Sequence, residues 1–478
     1  MTAPTVVVRR GSDWADSLPA VRPVSPEDVQ AALVGAPRLV VLDDDPTGTQ
    51  TVRDVPVLTR WKVGDIVWAL EQGGPGFYIL TNTRSLTPED AASRNREIVR
   101  ACLAAAGRAG VDLVFASRGD STLRGHFPLE TDVLSQELAA AGAPVDAIVL
   151  SPAYLDAGRV TLDGIHWVRS AEGLMPVAEG EFARDATFGY RSSRLSEWVE
   201  EKSKGAIPAG SVHELRIESI RNADTAALDR ELQHPKTGEI IVLDALEDDD
   251  LRAAVLAALG GESFDSVLLY RVGPSFVRAR LGQGAGAVIP NESLSALIGT
   301  DTGGLVVVGS HVGVTARQLL RLKDRHDYTA IELDVASVID PARVDGHLNE
   351  IVTDAQLGLR KGLVVLSTSR QLVTGADAEE SLAISRAVSA ALTSATKRIV
   401  AQVRPAFVVA KGGITSSDIA TDALEIDRAW ARGSLLPGIV SLWEAASGPA
   451  NGLPYVVFAG NVGDDESLAD VIERLEKS

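Results

Sequence analysis

The stretch RLVVLDDDPTGTQ, residues 38–50, decides how this chain is read. Its first five residues, Arg38–Leu42, are an aliphatic run of strand length, and they break into three aspartates, a proline and a glycine turn. A short buried strand that ends in a polar turn is half of a βα unit. In open parallel sheets, ligands bind beyond the carboxyl ends of such strands.

Working outward, the same pattern recurs. The runs Phe77–Leu80, Leu113–Phe115, Ala147–Leu150, Ile240–Leu243 and Val267–Tyr270 read as further strands separated by helical periodicities. A second series follows at Leu305–Val308, Ala330–Leu333, Leu363–Leu366, Phe407–Val409 and Tyr455–Phe458. Between the series lies GQGAGAVIPNESLSALIGTDTGG, residues 282–304, rich in glycine and small polar residues. The predicted fold is α/β with two domains, each a mostly parallel sheet flanked by helices, and with the active site in the interdomain cleft. Its boundaries are 1–285 for the first domain, 286–303 for a linker and 304–478 for the second. Helix starts are marked by Ser25-Pro26-Glu27-Asp28 and Thr87-Pro88-Glu89-Asp90, each offering a capping hydroxyl, a proline at the first helical position and acids in the first turn. The acidic run Glu247–Asp250 reads as another helix start rather than a metal site.

The length of 478 residues suits two domains, and 45% hydrophobic residues supply each with a core. Against 46 Lys+Arg stand 65 Asp+Glu, a formal charge of −19. Nucleic-acid binding, which asks for a basic stripe, is excluded as an expectation. A small anionic ligand is not, because it feels only local groups. Cys102, in ACLAAAG, reads as a buried structural thiol. Arg9-Arg10 are followed by acidic sequence instead of the apolar segment of an export signal. No run approaches the roughly 18 apolar residues of a membrane span, so the expected location is the cytoplasm.

Three strands of the first series end in polar clusters: Asp43–Gln50, Thr81-Asn82-Thr83-Arg84-Ser85, and Arg118-Gly119-Asp120-Ser121-Thr122-Leu123-Arg124-Gly125-His126. Adjacent carboxylates must meet cations or N–H groups if buried. Carboxylates beside fixed guanidinium groups suit a polyhydroxy acid, with Arg forking its carboxylate and Asp accepting its hydroxyls. The second series ends in glycine turns with hydroxyl or amide side chains: Gly309-Ser310-His311-Val312-Gly313, Lys411-Gly412-Gly413-Ile414-Thr415-Ser416, and Gly460-Asn461-Val462-Gly463. Such turns offer bare N–H groups and a helix start to phosphates. None is a Walker A loop and none gives G-x-G-x-x-G after a strand. The histidines form no ligand-spaced cluster, so a protein zinc site is not expected.

These motifs, DDDPTGTQ, TNTRS, RGDSTLRGH, GSHVGVT, KGGITSSD and AGNVGDDESL, together resemble the four-carbon acid sugar kinase family over nearly the whole chain. Asp44 and Asp45 match the family's two loop aspartates. The resemblance implies that Asp44, Asp45, Arg84, Arg118, Gly119, Asp120 and Ser121 contact the sugar acid. It further implies that Ser310, Gly412, Gly413, Ile414, Thr415, Gly460, Asn461 and Gly463 contact ATP. Many members carry Lys where Arg118 stands, and Val312 replaces a common serine.

The expected reaction is transfer of the ATP γ-phosphoryl to a hydroxyl of a four-carbon sugar acid of the threonate, erythronate or oxo-tetronate type. Phosphoryl transfer asks mainly for positioning and charge neutralisation. Asp44 is the first candidate for the base and Asp120 the second, with Arg84 and Arg118 holding the carboxylate and Mg²⁺ arriving largely on ATP oxygens. Tyr154, Arg159 and His166 lie in SPAYLDAGRVTLDGIHWV, which also resembles the family, and either support the site or touch the ligand. The expected partners are ATP and the acid alone, with a homo-oligomer left open. A non-catalytic nucleotide or metabolite sensor would bind both ligands without releasing ADP. An NAD-dependent hydroxy-acid dehydrogenase would share the Arg and Asp chemistry, but its glycine fingerprint is missing.

Overall fold

The computed structural model describes residues 17–171, 173–222, 224–263, 266–286, 288–299, 302–310, 312–369, 378–460 and 462–477. The chain forms two compact units. One comprises Met1–Gly48 with Arg60–Gly286, the other Thr49–Thr59 with Ala287–Ser478.

All six strands expected in the first unit are present, in the order Gly76–Leu80, Arg38–Asp43, Leu113–Arg118, Leu268–Val272, Ala147–Ser151, Glu239–Leu243. Every pairing is parallel, and a short seventh strand, His213–Leu215, extends the far edge. The strands are continuously buried, as a sheet covered on both faces requires. The first strand in sequence lies between the next two. The order in which strands are added therefore reverses beside it, which is the topological switch where α/β sheets bind ligands. An antiparallel sheet of Arg159–Leu162, Ile165–Ser170 and Gly173–Pro176 packs its own small core around Trp167.

The expected helix starts hold. Ser25 and Asp28 close a capping box, and the Thr87 hydroxyl accepts from the Asp90 N–H ahead of the 22-residue helix Pro88–Ala109. Cys102 is fully buried in that helix, and burial pushes its thiol up. The acidic run does open a helix, Asp248–Ser263. Asp250 is itself buried, forked by Arg221 and accepting from the Leu246 and Glu247 N–H groups.

In the second unit, Thr329–Leu333, Val364–Thr368, Leu305–Val308, Val408–Lys411 and Pro454–Phe458 form the expected parallel sheet. It continues into antiparallel strands that the sequence reading did not include: Val440–Ala445, Arg428–Leu436 and Val55–Leu58. The last of these draws residues 49–59 into the second unit, although the sequence reading placed them in the first domain. Val55, Val57 and Leu58 are buried there, and the Trp443 indole donates to Thr49 Oγ1 at 2.8 Å. Residues 286–303, read as a linker, contain the helix Asn291–Leu297, whose Leu294 is fully buried in the second unit's core with Ile289.

Candidate active site

The first unit gathers its charged groups at the carboxyl ends of neighbouring strands. Asp43 and Arg118 are register partners, and their side chains form an ion pair. The Asp43 carbonyl accepts from the Thr81 N–H at 2.8 Å, while the Asp44 N–H donates to the Arg118 carbonyl at 3.3 Å. The two flanking loops are thereby tied to the first strand. Arg84 turns its fork onto Asp44, Nη2 to Oδ1 at 2.6 Å and Nε to Oδ2 at 3.1 Å, and its Nη1 reaches Asp45 at 3.3 Å. Arg124 Nε donates to Asp120 at 2.6 Å.

These contacts sort the carboxylates. Burial pushes Asp43 up to about 7 against the pull of Arg118. Burial also raises Asp44, with Arg84 and Arg118 opposing. In Asp45 and Asp120 burial again works upward, but the guanidinium groups and the Thr47 and Thr122 hydrogen bonds outweigh it and hold both carboxyls below the usual range. Asp44 is thus the buried acid of raised proton affinity, and Asp120 the firmly ionised one.

The predicted substrate residues Asp44, Asp45, Arg84, Arg118, Gly119, Asp120 and Ser121 all lie in this one cluster. Arg84 and Arg118, expected to hold a substrate carboxylate, are both engaged by the chain's own aspartates. Gly119 is required by a residue that sequence reasoning passed over: a Cβ there would stand 2.5 Å from the Arg271 Cζ. Arg271 is buried and bonds Glu130 and Ser117, each at 2.7 Å, while Glu130 accepts from Thr83 Oγ1 at 2.6 Å. The strand-end rule, extended to the run Val267–Tyr270, reaches Arg271; nothing in the sequence marks Glu130. His166 is buried with Nε2 2.8 Å from the Ser121 carbonyl and Nδ1 3.0 Å from Thr161 Oγ1, and burial lowers it to about 4. It pins the Ser121 backbone as a neutral ring.

In the second unit the three glycine turns pack on one another. Thr315 Oγ1 donates to the Gly460 carbonyl at 2.9 Å and lies 3.2 Å from Ser310 Oγ. A Cβ on Gly460 would stand 2.6 Å from Ser310 Oγ, and one on Gly412, whose φ is +131°, would stand 2.9 Å from Thr415 Oγ1. These glycines are dictated by the packing of turn on turn. Gly413 differs: its Cα faces open space, next to the exposed Ile414. Gly463, at φ +83°, rests against Ser467. Asn461, a predicted nucleotide contact, lies outside the described residues, as does His311. Lys411, not singled out from sequence, is fully buried. Its Nζ donates to the Ala459 carbonyl at 2.7 Å and sits 3.6 Å from the centre of the Phe458 ring, and burial lowers it to about 7. Among the described residues no three His, Cys, Asp or Glu side chains group into a metal cage, and no helix is long and apolar enough to cross a membrane.

Comparison with known proteins matches residues 39–280 to a sugar-binding N-terminal domain and residues 305–468 to a nucleotide-binding C-terminal domain. The chain is similar to a D-erythronate kinase of Heliobacterium modesticaldum, 26% identical over 67% of this chain and 70% of that protein. It is also similar to a 3-oxo-isoapionate kinase of Paraburkholderia graminis, 27% identical over 51% of this chain and 54% of that one. A solved Salmonella typhimurium LT2 protein carrying a provisional tRNA-synthase label shares the fold at a TM-score of 0.67 and 19% identity, covering 92% of this chain and 98% of that chain. A Haemophilus influenzae protein from a family of domains of unknown function does so at 0.59 and 16%, covering 92% and 99%.

Proposed function

From the premise that this chain belongs to the four-carbon acid sugar kinase family, we propose that it transfers the γ-phosphoryl of ATP to a hydroxyl of a four-carbon sugar acid. The first unit takes the acid and the second takes the nucleotide. The observation that carries this reading is Asp44. It is buried at the switch point and fixed in the Arg84 fork, where it can face a substrate hydroxyl, and burial raises its proton affinity. Asp120, held low by Arg84 and Arg124, is the weaker base and suits a hydrogen-bond acceptor for a second hydroxyl.

Arg84 and Arg118 neutralise the aspartates and set their orientation, while Ser121, Gly119 and Asp45 shape the floor. In the second unit Gly413, Ile414 and Thr415, with Ser310, Gly460 and Gly463, present backbone N–H groups to the phosphates, while Gly412, whose own N–H is held by the Phe458 carbonyl at 2.9 Å, makes the turn that exposes them. Each aspartate of the first cluster already meets a guanidinium, so these residues do not form a Mg²⁺ site. Mg²⁺ would then arrive with ATP and supply charge neutralisation at the phosphates.

The test is ADP release by purified protein with ATP and Mg²⁺ against a panel of four- to six-carbon sugar acids that includes D-erythronate and 3-oxo-isoapionate. Stoichiometric ADP with one four-carbon acid is expected. Silence across the panel would overturn the reading.

A further inference from the structure

The charge ledger of the first unit leaves a gap that the kinase reading must fill. Asp43, Asp44, Asp45 and Asp120 face Arg84, Arg118 and Arg124, and every one of those guanidinium groups is bonded to a carboxylate of the chain. An anionic substrate entering such a cluster meets no guanidinium free of a carboxylate, although Arg118 Nε, like Arg159 Nε, is buried without a hydrogen-bond partner. The cluster sets four carboxyl groups against three guanidinium groups and so offers an entering anion no surplus of cations. If the acid binds here, a further cation has to receive its carboxylate.

Arg159 has the properties required. It opens the strand Arg159–Leu162, in the segment that follows the carboxyl end of Ala147–Ser151, so it belongs to the same rim of the sheet as the aspartates. Its Nη1 lies 3.3 Å from Ser121 Oγ, which sets the guanidinium one residue from Asp120. Its plane is supported by Tyr154, 5.9 Å from guanidinium carbon to ring centre. Among the described residues no carboxylate pairs with it, and its Nε is buried without a hydrogen-bond partner. A buried guanidinium donor left unpaired is costly unless a ligand or water completes it.

The support is rigid. Tyr154 and Arg159 exchange both backbone hydrogen bonds, at 3.0 and 2.9 Å, and the Gly158 carbonyl is held by the Arg169 N–H at 2.7 Å. His166, neutral and bonded to the Ser121 carbonyl, fixes the other side. The Tyr190 hydroxyl adds a second unpaired donor. It is buried without a partner, within electrostatic reach of Asp120, Arg124 and Arg159.

We propose that Arg159, seated on Tyr154 and beside Ser121, is the residue that receives the carboxylate of the acid substrate, and that it sets the preference for an acid over the corresponding neutral polyol. The exposed edge of a guanidinium matches a carboxylate with two parallel hydrogen bonds, which a neutral alcohol cannot reproduce. This rests on the kinase reading, and it assigns the anion to Arg159 in place of Arg84 and Arg118.

The experiment compares wild type, Arg159→Met and Arg159→Lys, with ATP and Mg²⁺, on D-erythronate and on erythritol, alongside calorimetric titration of D-erythronate without nucleotide. Expected in Arg159→Met is a KM for the acid raised roughly 10- to 150-fold, an unmoved KM for ATP, an unmoved melting temperature and an acid-over-alcohol preference reduced in proportion. Arg159→Lys, which keeps the charge and loses the fork, should fall between. An unchanged KM for the acid in Arg159→Met overturns the proposal. So does an equal loss with acid and alcohol, or a parallel rise in the KM for ATP with a lowered melting temperature, the signature of a merely structural residue. If wild type binds D-erythronate through Arg159 but releases no ADP with any acid, the kinase reading fails and the carboxylate seat stands. If wild type binds no sugar acid, both fall.

Discussion

Asp43 and Arg118 are partners twice over, in the parallel register of their strands and in the ion pair their side chains make at the sheet's carboxyl edge. The pair fits because Gly48 passes directly against it. A Cβ on Gly48 would stand 2.6 Å from Arg118 Nε, and closer still to Arg118 Nη2 and Asp43 Oδ2. Gly48→Ala should therefore displace Arg118 and, through it, the loop carrying Asp44. A shift of this kind near the reacting centre costs on the order of 100-fold in turnover, with about 1–3 kcal/mol lost in stability from overpacking. Steady-state kinetics and urea unfolding of the variant check both. Wild-type turnover would show that the pair tolerates the methyl group.

Asp44→Asn keeps the shape of the loop and removes the proton acceptor. If Asp44 is the base, turnover should fall roughly 10²- to 10⁴-fold, with calorimetric ATP affinity nearly unchanged because the proposed nucleotide site is in the other unit. Asp120→Asn should act mainly on the KM for the acid. Near-normal turnover in Asp44→Asn together with a collapse in Asp120→Asn would reverse the assignment.

The parallel core was legible because buried strands print as short aliphatic runs, and each of the eleven expected runs is a strand. The edges were not. Val55–Leu58 contains a proline and pairs with Arg428–Leu436, some 370 residues away. Arg428–Leu436 alternates in burial as far as Gly433, but its buried positions there are only alanine and glycine and the register shifts beside Gly433, so residue type shows little of the alternation. At the site, residue types and their clustering could be read from strand ends, but partners could not. Arg84 and Arg118 looked like open anion receptors because spacing carries no information about which acids they meet in space, and Glu130 is hidden on an ordinary helix.

Glu130 and Arg271 form a buried ion pair under Gly119 and Gly125, both side chains at or below 5% exposure. Removing the carboxylate charge with Glu130→Gln leaves a buried guanidinium unbalanced, a change that costs about 3–5 kcal/mol when a buried pair is broken. The double variant Glu130→Gln/Arg271→Met should recover part of that loss, since no charge is then stranded. Chemical unfolding of the two variants measures it. Equal destabilisation in single and double variants would mean that shape, rather than charge, is what the pair supplies.

Lys411 predicts a pH signature for the second unit. Its burial lowers the ammonium to about 7, whereas an unfolded lysine titrates near 10.4. Between those values the unfolded chain holds a proton that the folded one sheds, so this residue's share of stability is complete at high pH and is lost as pH falls towards about 7. Replacing it by methionine removes that proton exchange. The stability of wild type minus that of Lys411→Met should accordingly rise with pH, with a slope approaching about 1.4 kcal/mol per unit between neutrality and pH 10. Urea midpoints at intervals of pH would show it. A flat difference would mean that the carbonyl of Ala459 and the face of Phe458 hold the ammonium charged, and that Lys411 anchors the 459–463 turn as a cation throughout.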